Sequence, residues 1–360
     1  MPIGTLSKSV AALLTGLVLV ACGGVNGGTS APNADVGSGQ LQGAGATFPE
    51  PFYTRAFYEY HQKYSQVSVN YQAIGSGGGI QQFTKGTVDF GASDVPMTPE
   101  EMAAAGGEGA LVQLPTIIGV EAMAYNLPDV DKLQLDGQTV ADIFLGKIKK
   151  WDDPAIKAMN SNAKLPSKDI TVVHRSDGSG TTYAFTDYVA KVSDQWKAQV
   201  GVGKSVQWPV GVGGKGNEGV GQAVKTTDGA IGYVELAYVI QSKLQMAYLK
   251  NKAGKFLQAS LDGGTAAAAI LKGVSPTSFS MTNADGEKAY PISSYSWVIL
   301  RSNQADASKG KAVVNLFQWV VTSGQLLGKD LQYAPLPKEA QEFSLAQLKK
   351  VTAGGRTILT

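Results

Sequence analysis

A chain of 360 residues is long enough for two domains with separate cores, and its 43% apolar and 17% charged residues are globular values. A net charge of +2 offers no footprint for a polyanion and argues against nucleic acid as a partner. One cysteine, Cys22, and two histidines, His61 and His174, exclude an intrachain disulfide and a zinc-type ligand cluster.

The N-terminus reads as a targeting segment. Lys8 supplies a positive charge, and the apolar run from Val10 to Ala21 is too short to span a bilayer comfortably. It ends Leu19-Val20-Ala21-Cys22, which resembles a bacterial lipobox. Residues 1–21 would then be a lipoprotein signal peptide and Cys22 the lipidated mature N-terminus; an ordinary secretory signal with an incidental cysteine is the alternative. Residues 22–39 are rich in Gly, Asn, Ser and Ala without an apolar period, so they read as a flexible tether. The folded part would sit outside the cytoplasm, anchored to a membrane by lipid.

The fold is expected to open at Gln40 with the motif Gly43-Ala44-Gly45-Ala46-Thr47-Phe48-Pro49. Phe52, Phe57, Tyr60 and Tyr64 then form the apolar stripe of a helix, started by Pro49 and Pro51 and read as core. Val67 to Ile74 reads as a strand, and Gly75-Ser76-Gly77-Gly78-Gly79 opens a helix through Lys85. Val88 to Ala92 is the next strand, ending at Ser93-Asp94-Val95-Pro96. Leu111 to Leu114 and Thr116 to Tyr125 are strand-like, and Val140 to Leu145 is a helix. Trp151-Asp152-Asp153-Pro154 reads as a helix start capped by aspartate, in preference to a carboxylate metal site. Ile170 to His174 is a strand and Tyr183 to Val192 a helix, with Arg175-Ser176-Asp177-Gly178-Ser179-Gly180-Thr181-Thr182 between them. Trp208 to Val220 reads as a loop near a cleft; it fails the phosphate-loop pattern, with Pro209 for the first glycine and Gly216 after the lysine. Ala230 to Tyr233 is a short strand leading into a helix, Tyr290 to Leu300 a strand returning to the first half, and Val313 to Thr322 an amphipathic helix. This alternation predicts an α/β fold with a largely parallel sheet, whose ligands sit at the carboxyl ends of strands. The glycine turns and Asp94 all fall at such ends.

The loop from Arg175 to Thr182 has the chemistry of an oxyanion site. The first N–H groups of a helix lack partners and face the positive end of its dipole, and glycines let a guest approach the backbone. The hydroxyls of Ser179, Thr181 and Thr182 add donors, and Arg175 adds one fixed charge. A well-capped helix with Ser179 as N-cap, and Arg175 with Asp177 as a structural ion pair, is the alternative reading of the same residues.

Taken together, the motifs resemble those of the periplasmic phosphate-binding proteins that feed phosphate ABC transporters. The likeness runs from about Gln40 to Pro337 and rests on Gly43–Pro49, Gly75–Gly79, Asp89-Phe90-Gly91-Ala92-Ser93-Asp94 and Arg175–Thr181. It is supported by Leu145-Gly146-Lys147-Ile148-Lys149-Lys150-Trp151-Asp152-Asp153 and Gly213-Gly214-Lys215-Gly216-Asn217. The resemblance implies a two-lobed periplasmic binding protein fold, a clamshell with crossover hinge strands: residues 40–118 and 291–360 in one lobe, 119–290 in the other. It implies that inorganic phosphate is bound by Thr47, the Phe48 backbone, Ser76, Asp94, Arg175, Ser179, the Gly180 N–H and Thr181, with Asp177 holding Arg175. It also implies a monomer that passes phosphate to the membrane permease of an ABC transporter, with no cofactor, metal or catalysis. Ser176 and Gly77 are assigned no contact.

Asp94 is out of place beside an anion unless the guest carries a proton, because a carboxylate can only accept hydrogen bonds. Phosphate at neutral pH meets that demand and sulfate does not; the alternative is that Asp94 caps the turn before Pro96. Two other functions remain open. One is a phosphatase, a phosphomonoester hydrolase on a related scaffold, although no nucleophile–base pair stands near the loops. The other is a surface interaction protein on the same scaffold.

Overall fold

The computed structural model describes residues 35–359. The expected signal peptide (1–21), the expected lipidation site Cys22 and the expected tether as far as residue 34 lie outside the described residues. The folded unit starts at Val36, earlier than the expected Gln40. Val36 is buried in a hydrophobic core, and Gly39 already pairs with Val67.

Nine strands make the main sheet: β1 (Gly39–Gly45), β2 (Val67–Ala73), β3 (Phe90–Ser93), β4 (Leu111–Tyr125), β5 (Thr171–Arg175), β6 (Val212–Gly214), β7 (Ala230–Glu235), β8 (Gln245–Met246) and β9 (Ser293–Arg301). Their order is β2-β1-β3-β9-β4-β7-β5-β6, with β8 paired to β4. Both ends of this path are parallel, β1 with β2 and β3, and β5 with β6 and β7. The centre is antiparallel, where β9 lies between β3 and β4 and β4 meets β7. The expected largely parallel sheet is therefore two parallel ends joined by antiparallel strands. Opposite pairing arises because β4 leads out of the first half while β9 returns to it.

The two strand-like runs around Pro115 are one strand of 15 residues, buried throughout. Its pairing with β9 shifts there: Trp297 faces Pro115 and Ser296 faces Ile117, leaving Thr116 as the extra residue of a bulge. A bulge is where a sheet tolerates proline. At about 3.3 Å per residue the strand is roughly 50 Å long, enough to serve two cores. Val112, Leu114, Ile117 and Ile118 belong to one core; Val120, Ala122, Met123, Ala124 and Tyr125 belong to the other. The first core also contains Phe52, Phe57 and Tyr60 from the helix Glu50–Lys63, as the aromatic stripe predicts. It further draws in Ala267, Ala268, Val274, Met281 and Ala289, which the sequence reading placed with the middle segment.

Local signals set most helix starts. Asp153 caps the helix Pro154–Met159, its side chain accepting from the Ala155 N–H at 2.9 Å, with Pro154 in the first turn. Ser179 caps the helix Gly180–Val192, its Oγ accepting from the Thr182 N–H at 3.1 Å. The expected loop from Trp208 to Val220 is instead largely β6 and the start of the helix Gly216–Thr226. A three-residue strand ending in two glycines carries too little pattern to read in advance.

Phe317, on the helix Ala307–Val321, is fully buried with its ring edge-on to Phe90 at 4.9 Å and Phe57 at 6.2 Å between centroids. Phe317→Ala should cost about 3–5 kcal/mol of stability through lost transfer energy and a cavity. Urea unfolding of the variant checks this.

Candidate anion-binding site

Five loops at the carboxyl ends of parallel strands converge. Thr47 and Phe48 follow β1, Ser76 follows β2, Asp94 follows β3, residues 175–181 end and follow β5, and Asn217 follows β6. Thr47, Phe48, Ser76, Asp94, Arg175, Ser179, Gly180 and Thr181 are all buried. The predicted residues therefore come together, from segments up to 134 residues apart.

Arg175 is the fixed charge of the site. Its Nε and Nη2 donate to Asp177 Oδ1 and Oδ2 at 2.8 and 2.5 Å, and its Nη1 donates to Thr181 Oγ1 at 3.1 Å. Its backbone N–H donates to the Tyr233 hydroxyl at 3.0 Å. The Arg175 side chain is only 1% exposed, which sets the pair apart from an ordinary surface ion pair. Burial works against ionisation of Asp177, but Arg175 and the Gly216 N–H outweigh it and hold that carboxyl below its ordinary range.

Asp94 sits opposite. Ser296 Oγ donates to its Oδ1 at 2.8 Å, and Ser76 Oγ lies 3.4 Å from its Oδ2. The Gly180 N–H donates to the same Ser76 Oγ at 3.0 Å, linking a loop of β2 to the helix start after β5. Burial pushes the Asp94 carboxyl up to about 7, against the hydrogen bonds of Ser296 and Ser76 and the charge of Arg175. Asp94 does not end in a turn cap; its two oxygens face the serines of the site.

A family model described as the PBP superfamily domain matches residues 30–322. The phosphate-binding protein PstS of Pasteurella multocida (strain Pm70) is 46% identical over 313 residues, covering 86% of this chain and 90% of that protein. This chain belongs to the PstS family. The PstS protein of Haemophilus influenzae (strain ATCC 51907 / DSM 11121 / KW20 / Rd) is 44% identical, with 86% and 92% of the two chains covered. A phosphate-binding protein from Stenotrophomonas maltophilia has a solved structure that superposes with a TM-score of 0.64 at 18% identity, over 86% of this chain and 94% of that one. The fold is the two-lobed α/β architecture of the periplasmic binding proteins, with the PstS loops between two cores.

In this PstS member, three residues without a predicted role also enter the site. Asn217 Nδ2 reaches Thr47 Oγ1 at 3.0 Å and Thr181 Oγ1 at 3.1 Å, joining the loops after β1 and β5. It lies in the quoted Gly213–Asn217 motif, where it is the one side-chain amide among three glycines and a lysine. Ser296 comes from β9, 202 residues beyond Asp94, and no local pattern points to it. The Tyr238 hydroxyl lies 2.6 Å from the Thr47 carbonyl and 2.8 Å from Glu50 Oε2, closing the edge of the site. Beside it a cavity of about 260 Å³ is lined by Thr47, Glu50, Asp177, Lys215, Gly216 and Tyr238 among others.

The site is mostly neutral dipoles around one arginine, itself offset by Asp177. Hydroxyls of Ser76, Thr47 and Thr181 and the first N–H groups of the helix Gly180–Val192 can surround a tetrahedral oxyanion from several sides. The packing leaves no space for an added methyl at the contact between halves. A Cβ on Gly180 would stand 2.5 Å from Asp94 Cβ and 2.6 Å from its Oδ2. Gly180→Ala should hold those loops apart and weaken binding of inorganic phosphate at least about tenfold, since overpacking resists closure. Calorimetry of the variant, with its unfolding temperature little changed, checks this.

Proposed function

We propose that this protein is an extracytoplasmic solute-binding protein that captures inorganic phosphate between its two lobes and delivers it to the permease of a phosphate ABC transporter. The names of its PstS relatives support the ligand class. The observation that carries the reading within the chain is Asp94, a carboxylate among the converging donors. A proton-bearing anion donates to it, whereas a fully ionised anion meets like charge. At 4 Å and an effective dielectric of about 20, like unit charges cost on the order of 4 kcal/mol, more than two decades in affinity.

In this reading Thr47, the Phe48 backbone, Ser76, Arg175, Ser179, the Gly180 N–H and Thr181 donate to the phosphate oxygens, and Asp177 holds Arg175 for that task. Asn217 adds a donor between Thr47 and Thr181. The lobe boundary lies where β4 and the chain before β9 pass from one core to the other. The segment after Leu261 joins the lobe of the chain termini, consistent with its core contacts. The protein works as a monomer, without cofactor.

Binding without catalysis is favoured over the phosphatase reading by the two histidines. His174 stacks on Trp208 with ring centroids 4.6 Å apart, and its Nδ1 lies 3.0 Å from the Arg175 carbonyl. His61 Nδ1 lies 2.7 Å from the Val67 carbonyl. Neither stands as a base beside a hydroxyl of the site. The signal over residues 1–21 and lipidation of Cys22 would anchor the protein to the outside of a bacterial membrane, periplasmic or cell-surface.

Asp94→Asn tests the site. The amide can donate to sulfate, so the preference for phosphate over sulfate should shrink, and most at pH values above about 7, where the wild-type Asp94 carboxyl is ionised. Titration calorimetry of both anions against both proteins measures it, and an unchanged preference rejects Asp94 as the selector. Cys22→Ala tests the anchor: membrane fractionation should find the variant released with its phosphate affinity intact.

A further inference from the structure

Two glutamates lie at the point where the sheet changes partners. The pairing of β4 with β9 ends at Val120 with Ser293, and its pairing with β7 begins at Glu121 with Glu235. The Glu121 N–H still donates to the Ile292 carbonyl at 2.9 Å, so this residue touches both crossover chains. Glu235 is the last residue of β7 and caps the helix Leu236–Ser242. Leu236 of that helix packs in one core and Ala237 in the other. The two carboxyls are therefore cross-strand neighbours at the junction of the cores.

Both residues are 0% exposed. Neither oxygen of Glu121, nor Oε1 of Glu235, has a hydrogen-bond partner among the described residues. Only Glu235 Oε2 is engaged, by the Ala237 N–H at 2.9 Å and the Tyr333 hydroxyl at 3.0 Å. Around Glu121 stand Asp94, Arg175, Glu235, Tyr233 and Tyr290. Around Glu235 stand Tyr333, Tyr238, Asp94 and Glu121. Three carboxyls thus share a buried region with Arg175, which Asp177 already engages through two hydrogen bonds. Like charges directly opposite on paired strands are destabilising, and a buried unpaired carboxylate neutralises itself by taking up a proton.

We propose that Glu121 and Glu235 form a proton-binding pair at the crossover, loaded when the lobes close and unloaded when they open, so that phosphate capture is proton-linked. The proposal rests on the phosphate reading and deepens it. Closing buries the pair, and each carboxylate that becomes a carboxylic acid takes one proton from solvent. Opening flexes the strands at the junction, admits water and returns the proton. With the pair neutral, the anion arrives in a site whose nearby negative charge is Asp94 and Asp177 alone among these carboxyls.

Burial raises both glutamates well above their ordinary value of 4.5, with Asp94 adding to the effect in each. The contribution of the pair to closure is fully present below that ordinary value and is lost as pH rises through the closed-form values. Phosphate and Asp94 titrate in the same interval, so a pH profile of affinity alone does not isolate the pair. The count of protons bound per phosphate, compared between variants, does.

The full-length protein, freed of bound anion by unfolding and refolding, is titrated with inorganic phosphate at pH 7 and pH 8. Each titration is repeated in buffers of different ionisation enthalpy, so the slope of heat against that enthalpy counts protons taken up. The expected result is that Glu121→Gln still binds phosphate but takes up about one proton fewer than wild type. Its affinity should also change less between the two pH values, by up to about tenfold. Glu235→Gln should do the same. A purely structural glutamate would alter affinity without altering the proton count. Equal counts in wild type and both variants overturn the proposal. If neither variant folds, infrared difference spectra decide it. A protonated carboxyl band that grows on adding saturating phosphate to both wild type and Asp94→Asn supports the pair, because Asp94 itself titrates near 7 and is absent from the variant; no such band overturns it. No phosphate heat in wild type is a different failure, that of the phosphate reading itself.

Discussion

The contact between Arg175 and Asp177 organises the loops around it. Besides gripping the guanidinium, Asp177 Oδ1 accepts from the Gly216 N–H at 3.0 Å, which ties the loop after β6 to the loop after β5. Its other oxygen abuts Gly75, where an added Cβ would stand 2.2 Å away and where φ is +86°. Gly75 thus answers two demands at once, a left-handed turn before the helix Ser76–Thr84 and the close approach of a carboxylate. Through Nη1 the arginine also orients Thr181, which Asn217 links to Thr47. Four loops therefore take their places from one ion pair. A buried pair of this kind is weak evidence for stability but costs about 3–5 kcal/mol when one partner is removed, because the other charge is stranded.

The same arrangement explains why two cores are needed. A single core would bury the donors permanently, and an anion could neither enter nor leave. Here β4 runs through both cores and β9 returns beside it, so the halves are joined by continuous backbone while their packing is separate. The bulge at Thr116 also serves the site. The Thr116 hydroxyl donates to the Ser296 carbonyl at 3.0 Å and meets the Tyr53 hydroxyl at 2.7 Å. Ser296, held in that way, presents its own hydroxyl to Asp94. A local irregularity in the sheet thereby helps to fix Asp94 in the cleft.

What the sequence made legible follows from the range of the interactions. Helix caps depend on residues two or three apart, so Asp153 and Ser179 could be read from their neighbours. Anion loops depend on glycine and hydroxyl residues at strand ends, so the segments of Thr47, Ser76, Asp94 and Arg175 stood out singly. That they meet followed from the family likeness, since each signal alone was weak. Ser296 and Tyr238 were invisible because their contacts to Asp94 and Thr47 span 202 and 191 residues. Pro115 broke one strand into two on paper, since only pairing register reveals a bulge. The packing of the stretch after Leu261 was hidden for a similar reason: its alanines and Met281 show which core they join only through tertiary contacts.

Closure depends on many small contacts made together. The Gly77 N–H donates to the Gly178 carbonyl at 2.9 Å, and the Gly180 N–H to Ser76 at 3.0 Å. Lys204, whose carbonyl holds the Ser179 N–H, reaches both carboxylate oxygens of Glu101 with its ammonium. Each neutral bond contributes only about 0.5–1.5 kcal/mol net, and each is lost within a few tenths of an ångström of separation. Because all of them cross the same junction, a slight opening breaks them as a set. A site held by several arginines would fall off slowly with distance and retain its anion as it opened. Neutral dipoles with glycine-tight spacing let one architecture hold an anion strongly when shut and release it when parted.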